Sequence, residues 1–181
     1  WDSYYGGEYC PAWTYGMPEL RCACGPSQRE QLAGAQQIAV PGCNVTAVTF
    51  AFQPLVAAGL IDPNDIVATL AVGYSGAGKS LKPHLLATAA LGNAQPYAVG
   101  GTHRHIPEIA QNFAVSSGNN PEDYKITLTP VLVPMSRGIL ATVSATATEK
   151  TTTEQLRALY QDFYQEENLI QVLDSGVWPQ T

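Results

Sequence analysis

Two places in this chain carry residue types that could do chemistry together: the thiol in Pro41-Gly42-Cys43-Asn44-Val45-Thr46-Ala47 and the imidazoles of His103-Arg104-His105. An apolar run precedes Pro41 and a helix-compatible pattern follows Cys43, so the thiol falls on the first turn of a helix. Unpaired backbone N–H groups and the positive end of the helix dipole favour a thiolate there, and they can also receive an oxyanion forming on an attacked carbonyl. For an isolated cysteine, the competing reading is a small apolar side chain filling a strand-helix corner. The histidines argue for the chemical reading. They follow Tyr97 and Gly100-Gly101 and precede Ile106-Pro107-Glu108-Ile109, which reads as a helix start, so a base sits on a loop. Nucleophilic cysteine catalysis needs such an imidazole near the sulfur, at any separation in sequence. Arg104 or Arg137 could grip a substrate carboxylate in a fork or make a surface ion pair.

The elements that must position these groups can be read from pattern. Residues 1–20 are rich in Tyr, Trp and Gly and read as loop. Ser27-x-x-Glu30 is a capping-box start for a short helix ending near Gly34. Residues 37–40 form a strand, and 44–52 a helix whose pattern resumes after Pro54 and stops at Gly59. Residues 66–72 are an apolar, β-branched strand entering a Gly-rich loop. Short helices at 85–90 and 106–113 flank the histidine loop. Residues 124–133 and 139–148 alternate like strands, joined through Met135-Ser136-Arg137-Gly138. Thr152-x-x-Gln155 caps a helix with Leu156, Leu159, Tyr160 and Phe163 on one face, and 169–173 reads as a last strand. The sum is α+β: a mixed β-sheet with helices on one face, with no repeat and no linker dividing the chain.

Composition narrows the function classes. The 181 residues suit one domain able to bury its own core, and 45% of them are hydrophobic. Only 13% are charged, which suggests surfaces covered by partners. A net charge of −6 without a Lys/Arg cluster argues against nucleic acid or anionic membrane as a partner. No run reaches membrane-span length and no leader is visible, so the cytoplasm is expected. Cys10, Cys22, Cys24 and Cys43 admit a disulfide set or a zinc site. The C-x-C spacing and the missing leader argue against both, so no metal is expected.

Gly73-Tyr74-Ser75-Gly76-Ala77-Gly78-Lys79-Ser80 matches the phosphate-binding pattern G-x-x-x-x-G-K-S and follows an apolar strand. Pro83 falls where the phosphate-cradling helix should run, and no convincing strand ending in a metal-binding Asp follows. An NTPase is therefore the weaker reading.

The chain resembles N-acetyl-gamma-glutamyl-phosphate reductases nearly from end to end. The resemblance is carried by Tyr4-Tyr5-Gly6-Gly7, Trp13-Thr14-Tyr15-Gly16-Met17-Pro18-Glu19-Leu20, Ile38-Ala39-Val40-Pro41-Gly42-Cys43, Ser75-Gly76-Ala77-Gly78-Lys79, His103-Arg104-His105-Ile106-Pro107-Glu108-Ile109, and Thr129-Pro130 through Arg137-Gly138-Ile139-Leu140. It departs at Asn44 and Val45, where the family usually has an aromatic residue and often Pro, and at Val72, commonly Ser. The resemblance implies a catalytic domain of the glyceraldehyde-3-phosphate dehydrogenase or semialdehyde dehydrogenase type, spanning residues 1–181 and incomplete at its C-terminus. It implies Cys43 as nucleophile and His103 as acid/base. Asn44, Ser75, Gly76, Tyr97, Arg104 and His105 would meet the substrate, and Gly76 and Ala77 the cofactor.

The implied reaction is the NADPH-dependent reduction of an acyl phosphate to an aldehyde through a Cys43 thioester, in arginine biosynthesis, by a homo-oligomer. The G-x-G-x-x-G fingerprint of a dinucleotide-binding domain is absent, so NADP would be held mainly by a domain outside this chain, and the chain reads as the interior of a longer protein. Two alternatives stand beside this reading. One is a dimerisation or catalytic-lobe module without turnover of its own; the other is a related aspartate- or aminoadipate-type semialdehyde dehydrogenase.

Overall fold

The computed structural model describes residue 8 and residues 10–77, 83, 86 and 91–181. In chain order the elements are β1 (Thr14–Tyr15), α1 (Gln28–Leu32), β2 (Ile38–Ala39), α2 (Cys43–Ala57), β3 (Ile61–Val72), a 3-10 turn (Tyr74–Ala77), β4 (Gln95–Pro96), α3 (His105–Ser117), a second 3-10 turn (Pro121–Asp123), β5 (Ile126–Leu132), β6 (Ile139–Ala147) and α4 (Thr153–Tyr164). Both expected capping boxes form, Ser27 with Glu30 at α1 and Thr152 with Gln155 at α4.

The main sheet has the order β4-β5-β3-β6. β3 runs parallel to β5 and antiparallel to β6, while β4 is antiparallel to β5, so the sheet is mixed as expected. Alternation decides what faces inward. Ile66, Ala68, Leu70 and Val72 of β3 are buried, and the same face of β5 contributes Leu128 and Leu132. Against that face α2 lays Val45, Val48, Phe52 and Val56, and α3 lays Ile109 and Phe113. Phe52 and Phe113 meet edge to face at 6.0 Å, a contact adding about 0.5–1.5 kcal/mol to their burial. The opposite face, with Thr69, Ala71, Thr129, Leu140, Thr142 and Ser144, carries no helix among the described residues, and its one charge on β3 is Asp65 at the strand's start, which accepts the Thr146 hydroxyl.

Helix α2 continues through Pro54, and α4 supplies a partner for the carbonyl that the proline leaves without one. A proline inside a helix has no N–H for the carbonyl four residues back. Here Tyr164 donates its hydroxyl to the Phe50 carbonyl at 2.8 Å, and Tyr160 donates to the Ala51 carbonyl. Burial pushes the Tyr160 hydroxyl up to about 12 and the Tyr164 hydroxyl higher still, so both remain donors. The interruption expected at Pro54 is thus absorbed, and it fixes where α4 docks.

Two expectations need correction. Residues 169–173 form no strand: Leu169 is 89% exposed, and the Leu173 carbonyl accepts from the Arg157 guanidinium instead of pairing with the sheet. β3 also begins earlier than residue 66, starting at Ile61 and passing an irregularity before Ile66. β5 and β6 flank β3 rather than each other. Apart from residue 86, the helix expected at 85–90 lies outside the described residues.

Candidate active site

Gly42 is the N-cap of α2, with extended backbone (φ −62°, ψ 141°), so Cys43 is the first helical residue. The first helical bond runs from the Thr46 N–H to the Gly42 carbonyl at 3.0 Å, and Cys43 is exposed at this helix start. The thiol therefore meets solvent where backbone donors have no intrahelical partner.

Across the cavity, α3 opens at His105, with Arg104 as its N-cap. His103 and His105 are buried, 7% and 8% exposed, and their rings lie edge-on at 4.5 Å. The His105 N–H donates to Nδ1 of His103 at 3.1 Å, while Nδ1 of His105 is buried without a hydrogen-bond partner. Burial, first, and the Arg104 charge pull both imidazoles down to about 4, and the neighbouring His105 adds to the shift of His103. Both are neutral at physiological pH.

His105 leans on the turn that carries Cys43. A Cβ built on Gly42 would lie 2.4 Å from its Nε2, so only glycine fits before Cys43. Glu108, one turn into α3, closes the same junction. Its Oε1 accepts the Tyr15 hydroxyl at 2.8 Å and the Gly42 N–H at 3.1 Å. Asn112 donates to Tyr15 and to Thr49 of α2, each at 3.0 Å, so β1, α2 and α3 are tied by one polar chain. Glu108 stood in the sequence only as part of a helix-start motif; nothing in its spacing announced this contact.

Tyr97 follows β4 directly, and its N–H is held by the Pro130 carbonyl of β5 at 3.1 Å. Its ring stands 5.8 Å from that of His103. Burial, first, and Cys43 push its hydroxyl up, while Asn44, whose side-chain amide donates to it at 3.5 Å, acts against them. Asn44 is 1% exposed and also receives a weak contact from the Cys43 thiol at 3.9 Å, so it joins the thiol to Tyr97. Ala98 next to it takes a left-handed φ of 45°, a strained conformation for a residue with a Cβ.

One cavity of about 480 Å³, a size suited to a small metabolite, gathers Gly42, Cys43 and Asn44 from α2 with Gly76, Ala77, Tyr97, Arg104 and the two histidines. Thr102, Ala98 and Leu132 also line it, and no sequence signal marked them. Ser75 and Arg137 are not among the lining residues. The Gly73, Tyr74 and Ser75 N–H groups donate to the carbonyls of Gly138, Met135 and Ser136, so they are not turned to a phosphate. The close approach permitted by Gly73 is to the Arg137 backbone, 2.8 Å from where a Cβ would stand. The rest of the nucleotide-type motif, Gly78-Lys79-Ser80, lies outside the described residues. Among the described residues no cluster of His, Cys, Asp or Glu could hold a metal, and no helix is long and apolar enough to cross a membrane.

A thiol heading one helix and imidazoles heading another thus line one cavity above a mixed sheet of the semialdehyde dehydrogenase fold. The chain belongs to that family: the semialdehyde dehydrogenase dimerisation domain matches residues 43–181. It is 54% identical over its whole length to N-acetyl-gamma-glutamyl-phosphate reductase of Bifidobacterium animalis subsp. lactis (strain AD011), and 51% identical to the Streptomyces clavuligerus protein of the same name. It covers 53% and 50% of those proteins, so it spans about half the length of these relatives. The fold matches aspartate semialdehyde dehydrogenase II of Vibrio cholerae complexed with ASA, with a TM-score of 0.66 at 16% identity over 95% of this chain and 54% of that one. A Francisella tularensis aspartate semialdehyde dehydrogenase gives 0.60 at 12% identity over 85% of this chain and 52% of that chain.

Proposed function

We propose that this chain is the catalytic half of a cytoplasmic reductase that converts N-acetyl-gamma-glutamyl phosphate to the corresponding semialdehyde through a Cys43 thioester. The observation that carries the reading is the shared cavity, lined both by the exposed thiol at the head of α2 and by the imidazoles at the head of α3. Names borne by relatives at about half identity support the substrate.

The Cys43 sulfur, as thiolate, adds to the acyl carbon; the carbon–oxygen bond to phosphate breaks, and phosphate leaves with the electron pair. The helix start supplies donors for the transient oxyanion, with Tyr97 and His103 at hand as further donors. Arg104 lines the cavity, which supports it as the cation that grips the substrate carboxylate. NADPH, when bound, supplies the hydride that turns the thioester into a thiohemiacetal. The carbon–sulfur bond then breaks, releasing aldehyde and regenerating the thiolate. Gly76 and Ala77 fit the cofactor side, because a wall with no side chain larger than a methyl admits a flat ring, and even a Cβ on Gly76 would meet nothing nearer than Val72 at 3.6 Å.

A second reading concerns assembly. The open face of the sheet, with Asp65 only at its margin, and the dimerisation-domain match favour pairing of two copies through that face. The activity test is the reverse reaction in the intact protein, with N-acetylglutamate semialdehyde, phosphate and NADP. NADPH should appear, and Cys43→Ser should abolish it. Activity on aspartate semialdehyde instead would transfer the protein to a sister reaction.

A further inference from the structure

Asn44 is a buried amide, 1% exposed, on the first turn of α2 and on the cavity wall. A buried amide needs partners at both of its ends. The two ends are divided between neighbours: the Cys43 thiol donates to Oδ1 at 3.9 Å, and Nδ2 donates to the Tyr97 hydroxyl oxygen at 3.5 Å. The thiol decides which way the amide lies, because S–H is a donor and takes the oxygen end, which leaves the nitrogen end for Tyr97. Both contacts are long, so each adds little binding energy, and what they set is orientation.

Tyr97 depends on that orientation. It follows the two-residue edge strand β4, its N–H is held by the Pro130 carbonyl at 3.1 Å, and its ring lies 5.8 Å from that of His103, tilted by 53°. The next residue, Ala98, has the left-handed φ of 45°, a conformation kept only where the surroundings over-determine it. These contacts place the backbone and the ring. Among the described contacts, Asn44 alone reaches the hydroxyl, and it ties the far end of a loop side chain to a helix whose neighbouring residues Val45 and Val48 are fully buried in the core.

We propose that Asn44 is a positioning residue that acts on the reaction through Tyr97: its side-chain N–H holds the phenol oxygen as an acceptor, which leaves the Tyr97 proton for the carbonyl oxygen of the substrate. This role rests on the reductase reading above; the Asn44–Tyr97 contact does not. A hydroxyl that accepts one hydrogen bond donates the next more strongly. Were the amide reversed, the phenol would spend its proton on Asn44 and offer the cavity only lone pairs, which repel a carbonyl oxygen. Asn44 therefore serves the substrate through a neighbour, where the resemblance implied a direct contact.

The test is a double-mutant cycle in the intact protein with N-acetyl-gamma-glutamyl phosphate and NADPH. Asn44→Leu, which keeps the shape without the amide, and Asn44→Ala should each lower kcat roughly 2- to 10-fold, the scale of one hydrogen bond. In a Tyr97→Phe background the same substitutions should cost nothing further, because the group they act through is gone. Equal losses in both backgrounds, with the wild type active, overturn the positioning role. A second readout needs no turnover: carbon-13 NMR of ζ-labelled tyrosine, with Tyr97 assigned by its loss in Tyr97→Phe. Burial already pushes the Tyr97 hydroxyl up and the Asn44 contact opposes it, so Asn44→Leu should ionise at a higher pH than the wild type. An unchanged midpoint overturns the contact. An inactive wild type in which Asn44→Leu still shifts Tyr97 refutes the reductase reading and leaves the contact standing.

Discussion

Gly42→Ala is a perturbation whose cost can be worked from the structure. The backbone at residue 42, φ −62° and ψ 141°, suits alanine, so no conformational strain arises. The whole penalty comes from the new Cβ, which would stand 2.4, 2.6 and 2.7 Å from Nε2, Cε1 and Cδ2 of His105, against about 3.5–4.0 Å for comfortable contact. The ring must move by about 1 Å. It has little room, being 8% exposed with the His103 ring 4.5 Å away. Overpacking of this kind costs about 1–3 kcal/mol, and alanine's stiffer unfolded chain returns about 0.4–1 kcal/mol. The net destabilisation of about 1–2 kcal/mol corresponds to a fall in Tm of roughly 2–8 °C for a chain of this size. Urea unfolding of Gly42→Ala, His105→Ala and the double variant completes the test. With the ring removed, alanine at 42 should be neutral or slightly stabilising, a coupling of about 1–3 kcal/mol. If Gly42→Ala costs the same in both backgrounds, His105 is not what demands glycine before Cys43.

Other outcomes follow from the same contacts. Because His103 and His105 are pulled from 6.5 down to about 4, the unfolded chain binds protons more readily below pH 6.5. Stability should therefore be flat above that pH and fall as pH drops toward 4, and in a Tm–pH series this acid limb should shrink in a His103→Gln/His105→Gln variant. Gln53, fully buried, accepts the Arg21 N–H and the Ser116 hydroxyl and donates to the Glu19 carbonyl, so Gln53→Leu should lose about 1–3 kcal/mol or more in urea melts. Burial pushes the Cys22 thiol up, so quenched alkylation with peptide mapping should find it slower than exposed Cys43. A charge on the open sheet face, Thr142→Lys, should shift sedimentation toward monomer while leaving the circular dichroism of the fold unchanged.

Much of this was legible from residues whose local physics is self-contained. Ser27 with Glu30 and Thr152 with Gln155 announce helix starts because the caps are made within four residues. Alternation along β3, β5 and β6 marks the sheet, and the Gly42-Cys43 junction marks the helix start that carries the thiol. What was not legible depends on partners distant in the chain. Leu169 and its neighbours carry a strand-like pattern but reach no sheet edge. Pro54 reads as a break, yet Tyr164 satisfies the Phe50 carbonyl it frees. At the site, neither the clamp from Glu108 to Gly42 nor the His105 cap on His103 follows from spacing, because each is a contact created by packing α3 against α2.

The central claim is that Cys43 takes the acyl group from an acyl phosphate. It is tested most directly by mixing the intact protein, free of NADPH, with N-acetyl-gamma-glutamyl phosphate, then measuring released phosphate and mapping the adduct by mass spectrometry. The account predicts one phosphate per active site and a hydroxylamine-labile acyl group on Cys43, both absent in Cys43→Ser. Phosphate release without a Cys43 adduct, or an adduct on Cys10, Cys22 or Cys24, would contradict it.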